Sequence, residues 1–206
     1  MRFLFTLAVL SLVLSVGSLS GQVGQASPSV LLKPPFGRQW GEAPAGLLQW
    51  AGKVELDVFV KLPADEPNIQ IFTFQQKGGG IPGETGEAAH SIEARFNQDR
   101  LYELTVNFEF AEESPDEIRE RFHKLKRKLE KEMGKFRLNG RSQSVDDNFL
   151  TREESFHYEP APKVFLLLAY SSVEDRLRKR GEGRYSVIYH NGRLGPSAKE
   201  APPAEK

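Results

Sequence analysis

The sequence predicts an α+β domain: a mostly antiparallel sheet of about six to seven strands, one long amphipathic helix packed on it, and one or two short helices. Three observations predict it. Apolar and polar residues alternate with period two in several stretches, which is the pattern of strands with one wet face. A single long segment, Pro115 to Met133, instead repeats its apolar residues at the helical period. The links between the period-two stretches are too short for parallel crossovers.

In chain order, Ser27 to Gly41 is a lead-in holding Pro28 and the pair Pro34-Pro35, which favours extended chain. Glu42 to Ala51 reads as a short helix with Leu47, Leu48 and Trp50 as its apolar residues and Pro44 in its first turn. Val54, Leu56, Val58, Val60 and Leu62 then alternate with Lys53, Glu55, Asp57 and Lys61, with Phe59 as the apolar exception. The turn 63–67 carries two prolines and an Asp, and 68–75 is a second strand. After the glycine-rich loop 76–87, His90 to Phe96 and Tyr102 to Phe110 alternate on either side of the turn 97–100, which makes a hairpin.

Ser114 and Glu117 have capping-box spacing before the long helix, Pro115 takes its first position, and Gly134 follows its end. Ile118, Phe122, Leu125, Leu129 and Met133 fall within an arc of about 80°. Beyond a polar link, Phe149 to Tyr158 is a strand, and Val164 to Ala169 is apolar on both parities, as in a central strand buried on both faces. Ser172 to Arg180 is expected as a short helix, with Ser172 and Asp175 spaced as a cap and Gly181 as its stop. Arg184 to His190 is the last strand. The expected organisation is thus one domain over 27–190 with a disordered tail over 191–206.

The N-terminus has the order of a secretory signal peptide: the charge of Arg2, the apolar run Phe3 to Val16, then Ser18 and Ser20 placed for cleavage before Gly21, or Gly24 and Ala26 for cleavage before Ser27. Fourteen helical residues rise roughly 21 Å against a hydrocarbon core of about 30 Å, so this run is short for a membrane span. The leader assigned to 1–20 implies export to the periplasm or beyond. The chain has no cysteine, which removes disulfides, thiolate metal sites, cysteine nucleophiles and the lipid-bearing cysteine of a bacterial lipoprotein. The 28 basic and 28 acidic residues balance, so nothing global steers the protein toward nucleic acid; an electrostatic function has to be local.

No motif specifies a cofactor. Gly78-x-Gly80-x-x-Gly83 has the lettering of a dinucleotide fingerprint, but Pro82 removes an amide and the loop leads into a hairpin rather than a crossover helix. His90, His123, His157 and His190 lie 33, 34 and 33 residues apart. Their flanks share nothing, so the spacing is not read as a repeat. A metal site would need His90, His157 and His190 to converge across the sheet. Glu153 and Glu154 are adjacent on a strand and point to opposite faces, so they cannot form a catalytic pair with each other. Asp146-Asp147-Asn148 reads as turn chemistry. The densest basic patch is on the long helix, where Lys124, Arg127, Lys128 and Lys131 lie opposite the apolar stripe. They, with the aromatic Trp40, are the candidate partner-binding residues, the cations toward an anionic lipid, acidic protein or cell-wall polymer.

Pro35-Phe36-Gly37-x-x-Trp40-Gly41-x-x-Pro44-x-x-Leu47 and Lys128-Leu129-Glu130-Lys131-x-x-Gly134-Lys135-Phe136 resemble segments of uncharacterised exported bacterial proteins. The resemblance implies a bacterial periplasmic setting and carries no site. The expected function is a non-enzymatic exported domain that binds a protein or envelope component; the alternative is a secreted hydrolase whose carboxylates are assembled only by the fold.

Overall fold

Each half of the described chain is a helix followed by four antiparallel strands of the main sheet, and the first half also inserts a two-stranded ribbon. The first half runs α1 (Pro44–Lys53), β1 (Asp57–Lys61), β2 (Ile69–Gln75), a small ribbon of β3 (Ile81–Pro82) and β4 (Ala88–Ala89), then β5 (Ser91–Asn97) and β6 (Arg100–Glu109). The second runs α2 (Pro115–Met133), β7 (Arg137–Asp146), β8 (Phe149–Ala161), β9 (Val164–Asp175) and β10 (Arg180–Asn191). The structure, a computed structural model, describes residues 32–77, 80–83, 86–178 and 180–196. The expected leader, Gly78, and the tail beyond 196 lie outside them.

Eight strands form one sheet in the order β1-β2-β5-β6-β10-β9-β8-β7, each neighbour antiparallel. The last strand of each half meets the other at the centre, where Val106 stands opposite Val187. An approximate two-fold axis normal to the sheet passes between them. The row of residues through that point shows the repeat: Val58, Phe74, Ile92, Val106, then Val187, Leu168, Phe156, Leu138. Read from either end, it has the same residue classes. The repeat therefore resides in alternate strand positions, not in the spacing of the histidines.

Both helices, the lead-in and the β3–β4 ribbon gather on one face of the sheet, and a single apolar core lies beneath them. Ile118, Phe122, Leu125 and Leu129 of α2 are buried there as their spacing predicts, and Met133 is partly buried. The ring of Phe122 lies 5.7 Å from Tyr170, 6.0 Å from Tyr185 and 6.0 Å from Phe156. The Tyr170 hydroxyl donates to the carbonyl of Pro115 at 2.8 Å, tying the start of α2 to β9. Glycine on β10 permits the close approach: a Cβ on Gly181 would stand 2.6 Å from the Val173 carbonyl and 2.8 Å from Pro115 Cγ. Among the described residues, no helix lies on the opposite face of the sheet.

The structure departs from the sequence-based expectation at three points. The sheet has eight strands, not six to seven, because the polar link before Phe149 is itself a strand. All ten residues of β7 are exposed on an outer edge, so no apolar alternation marks them. The expected short helix over 172–180 does not form among the described residues; Ser172 to Asp175 extends β9 and pairs with β8 and β10. Asp175 does hold a local turn, since its carboxylate accepts from the amides of Leu177 (3.0 Å) and Arg178 (3.1 Å). Only one short helix, α1, is present among the described residues. Third, β1 is shorter than the alternation suggests. Val54 caps α1 by donating to the Trp50 carbonyl, and Glu55, at φ 56°, turns the chain before the ladder begins. In the described segment 191–196, Asn97 donates to the Leu194 carbonyl at 2.9 Å and the Gly192 amide donates to the Lys163 carbonyl at 2.7 Å.

Candidate functional site

Burial of the apolar stripe fixes which arc of α2 meets solvent. Lys124, Arg127, Lys128 and Lys131 are all exposed on it, as expected for a helix docked on one side. Several acidic residues around α2 are engaged, whereas Glu120 and Glu132 are exposed and make no ion pair among the described residues. Glu113 grips Arg121 with both carboxylate oxygens at 2.6 Å, Glu87 reaches the same guanidinium at 3.4 Å, and that guanidinium lies 5.0 Å over the ring of Phe110. Glu117 completes the capping box with Ser114, whose amide and hydroxyl hydrogen bonds hold its carboxyl below the usual carboxylate range. Glu130 binds Lys126 at 2.7 Å, and this bond lowers its pKa in the same way. Lys124, Arg127 and Lys131, in contrast, make no ion pair among the described residues. The paired Arg121 thus lies near the start of the helix and the cluster of exposed cations from its middle onward, with the exposed carboxylates of Glu120 and Glu132 beside them. A shallow depression of about 780 Å³ lies at the junction, lined by Glu113, Glu120, Arg121, Lys124 and Arg127 among others.

Under the helix, toward the β7 edge, sits an ionic cluster not anticipated from the sequence. Glu154 is only 3% exposed, and its carboxylate meets Arg141 of β7, Arg119 of α2 at 3.6 Å and His123 of α2 at 3.1 Å. Its neighbour Glu153 points to the other face, where it accepts from Ser142 at 3.1 Å, as strand alternation requires. Burial holds the His123 imidazole below the ordinary histidine range; Glu154 pulls it upward, while Arg119, Arg127 and Lys126 add to the lowering. Arg119 and His123 stand one turn apart on α2, a spacing that aims both at one partner. That partner was invisible without β7 and β8 in place.

The other expected candidates are dispersed. His157 and His190 stand on either side of Phe165, with ring centroids 5.2 and 4.5 Å away, and His190 also binds Glu103 at 2.8 Å. His90 lies apart and faces Glu109 at 3.5 Å. The three do not converge, and no cluster of three or more potential ligands occurs among the described residues. Trp40 packs partly buried against the core, and its indole N–H donates to the Leu32 carbonyl at 2.6 Å. Pro82 pairs within the β3–β4 ribbon, so the glycine loop leads into a ribbon and not a helix.

The fold and site define an α+β protein of two helix–four-strand halves with a basic helix face. Comparison with protein-family models, characterised proteins and solved structures finds no match.

Proposed function

We propose that the chain is exported and that its folded domain is a non-enzymatic binding module, docking to anionic headgroups of an envelope membrane through the basic face of α2. The observation that supports this reading is the basic cluster: Lys124, Arg127, Lys128 and Lys131 are exposed together, while Glu113, Glu117 and Glu130 are held in local bonds and only Glu120 and Glu132 of α2 stand exposed beside the cations. From Lys124 to Lys131 the array is about 10 Å long on a rigid helix, and it suits a flat charged surface better than a pocket. No helix among the described residues is long and apolar enough to cross a membrane, so docking is peripheral. Each cation near an anionic surface contributes about 1 kcal/mol, and salt screens it over a Debye length of about 10 Å at 0.1 M.

The carboxylate-hydrolase reading gains no comparable support. Glu154, Glu103 and Glu113 each come to an arginine rather than to one another. Co-sedimentation with vesicles tests the proposal. The domain is expected to bind phosphatidylglycerol-containing vesicles at low salt, to release as salt rises, and to ignore pure phosphatidylcholine. Binding indifferent to salt or to headgroup charge contradicts it, and binding to an anionic cell-wall polymer instead reassigns the partner. N-terminal sequencing of the exported material is expected to begin at Gly21 or Ser27; an intact Met1 contradicts cleavage.

A further inference from the structure

The outer strand β7 offers a long, fully exposed edge. Natural sheets blunt such edges with lysine and other charges, proline, bulges or brevity, because unpaired amides and carbonyls recruit another strand; β7 has a bulge at Asn139 and charges of both signs, which can be matched by a second copy. β7 is ten residues long, every one exposed, and it contains neither lysine nor proline. Its side chains are also self-complementary. We propose that β7 pairs antiparallel with β7 of a second copy of this chain, about a two-fold axis through Ser142.

The register follows from the bulge the strand already has. Against β8, Leu138 and Gly140 oppose consecutive residues, Phe156 and Ser155, so Asn139 is skipped. With the same skip, centring on Ser142 sets Arg141 opposite Gln143 of the second copy, Gly140 opposite Ser144, Leu138 opposite Val145 and Arg137 opposite Asp146. Every pair shares a face, as an antiparallel ladder requires. Arg141, Gln143, Leu138 and Val145 stand opposite Glu154, Arg152, Phe156 and Leu150 on the helix side, while Gly140, Ser144, Arg137 and Asp146 stand opposite Ser155, Thr151, His157 and Phe149 on the bare side. No like charges stand directly opposite, and the two Arg141 side chains that meet diagonally are each paired with Glu154 of their own chain. Two Arg–Asp pairs form at the ends, and two Leu–Val pairs cover side chains that are 54% exposed in the single chain. Neither Arg137 nor Asp146 makes an ion pair among the described residues of its own chain. Moving the centre to Gln143 would set Arg141 against Val145 and leave Arg137 facing Asn148, which loses both kinds of pair.

The axis is normal to the sheet, so sixteen strands become continuous and both α2 helices lie on the same side. α2 packs on β9 and β10, so it sits about 10 Å in from the edge at the usual strand spacing and leaves room for the partner. The two basic faces then point the same way, which would make docking to a charged surface bivalent.

Sedimentation velocity of the folded domain, with no lipid present, separates this inference from the headgroup reading. The unaltered chain is expected to be a dimer at micromolar concentration. Asp146→Arg, which places arginine against Arg137 twice per dimer, is expected to weaken association by roughly 10–100-fold. The double reversal Arg137→Asp with Asp146→Arg is expected to restore it, with circular dichroism confirming that each variant is folded. A wild-type monomer at about 100 μM, a dimer untouched by Asp146→Arg, or a folded double variant that stays monomeric would each overturn the proposal.

Discussion

Glu154 occupies the position that Phe72 fills in the first half of the chain, and Arg141 the position of Val60. An apolar pair in one half has become an ion pair in the other. The exchange couples β7 and β8 to α2 through charge where the first half uses apolar side chains. Breaking a buried pair strands the remaining charges, but Arg141 (57% exposed) and Arg119 (40% exposed) retain access to water. Glu154→Gln is therefore expected to cost about 1–3 kcal/mol, less than for a wholly buried pair. Chemical denaturation checks this, and an unchanged midpoint and slope would show the cluster to be inert. His123 adds a pH dependence. Its folded pKa lies below its unfolded value, so the unfolded chain takes the proton first. Stability from this group is complete above the ordinary histidine range and is lost as pH falls through it toward the folded pKa. His123→Gln should flatten that part of the stability–pH curve; equal curves for the two proteins would contradict the assignment.

At the scale of elements, α2 was legible because local and tertiary signals agree. The cap, the stop and the stripe all mark the same boundaries. Phe122, fully buried among Tyr170, Tyr185 and Phe156, is expected to cost about 3–5 kcal/mol when cut to alanine, whereas Ser114→Ala should cost only about 1 kcal/mol. Comparable losses from the two variants in thermal melts would mean that the cap, and not the stripe, seats the helix. β7 escaped detection for the converse reason. A strand wet on both faces has no binary pattern, and its one ordering influence, pairing with β8, is non-local. The 172–180 segment misled because Asp175 has a genuine turn role that imitates a helix cap, while the ladder through Ser172, opposite Arg152 and Gly183, keeps the chain extended.

For the whole molecule, the α+β class, the antiparallel sheet and the docking of α2 could be read from patterning. The two-fold arrangement could not, since it preserves residue class at alternate core positions while the intervening residues and loops differ; β3–β4 interrupts only the first half. The same division holds for the site. The exposure of Lys124, Arg127, Lys128 and Lys131 followed from the helical wheel. The Glu154 cluster depended on a strand that was not foreseen, and the separation of His90 from His157 and His190 depended on strand order. The chain is neutral overall, so electrostatic docking of the kind proposed rests on a local cluster of charge. The most direct test replaces Lys124, Arg127, Lys128 and Lys131 together by glutamine and measures partitioning onto anionic vesicles beside the melting temperature. Binding is expected to fall by roughly 100-fold or more with the melting temperature nearly unchanged; undiminished binding by the folded variant would overturn docking through the basic face of α2.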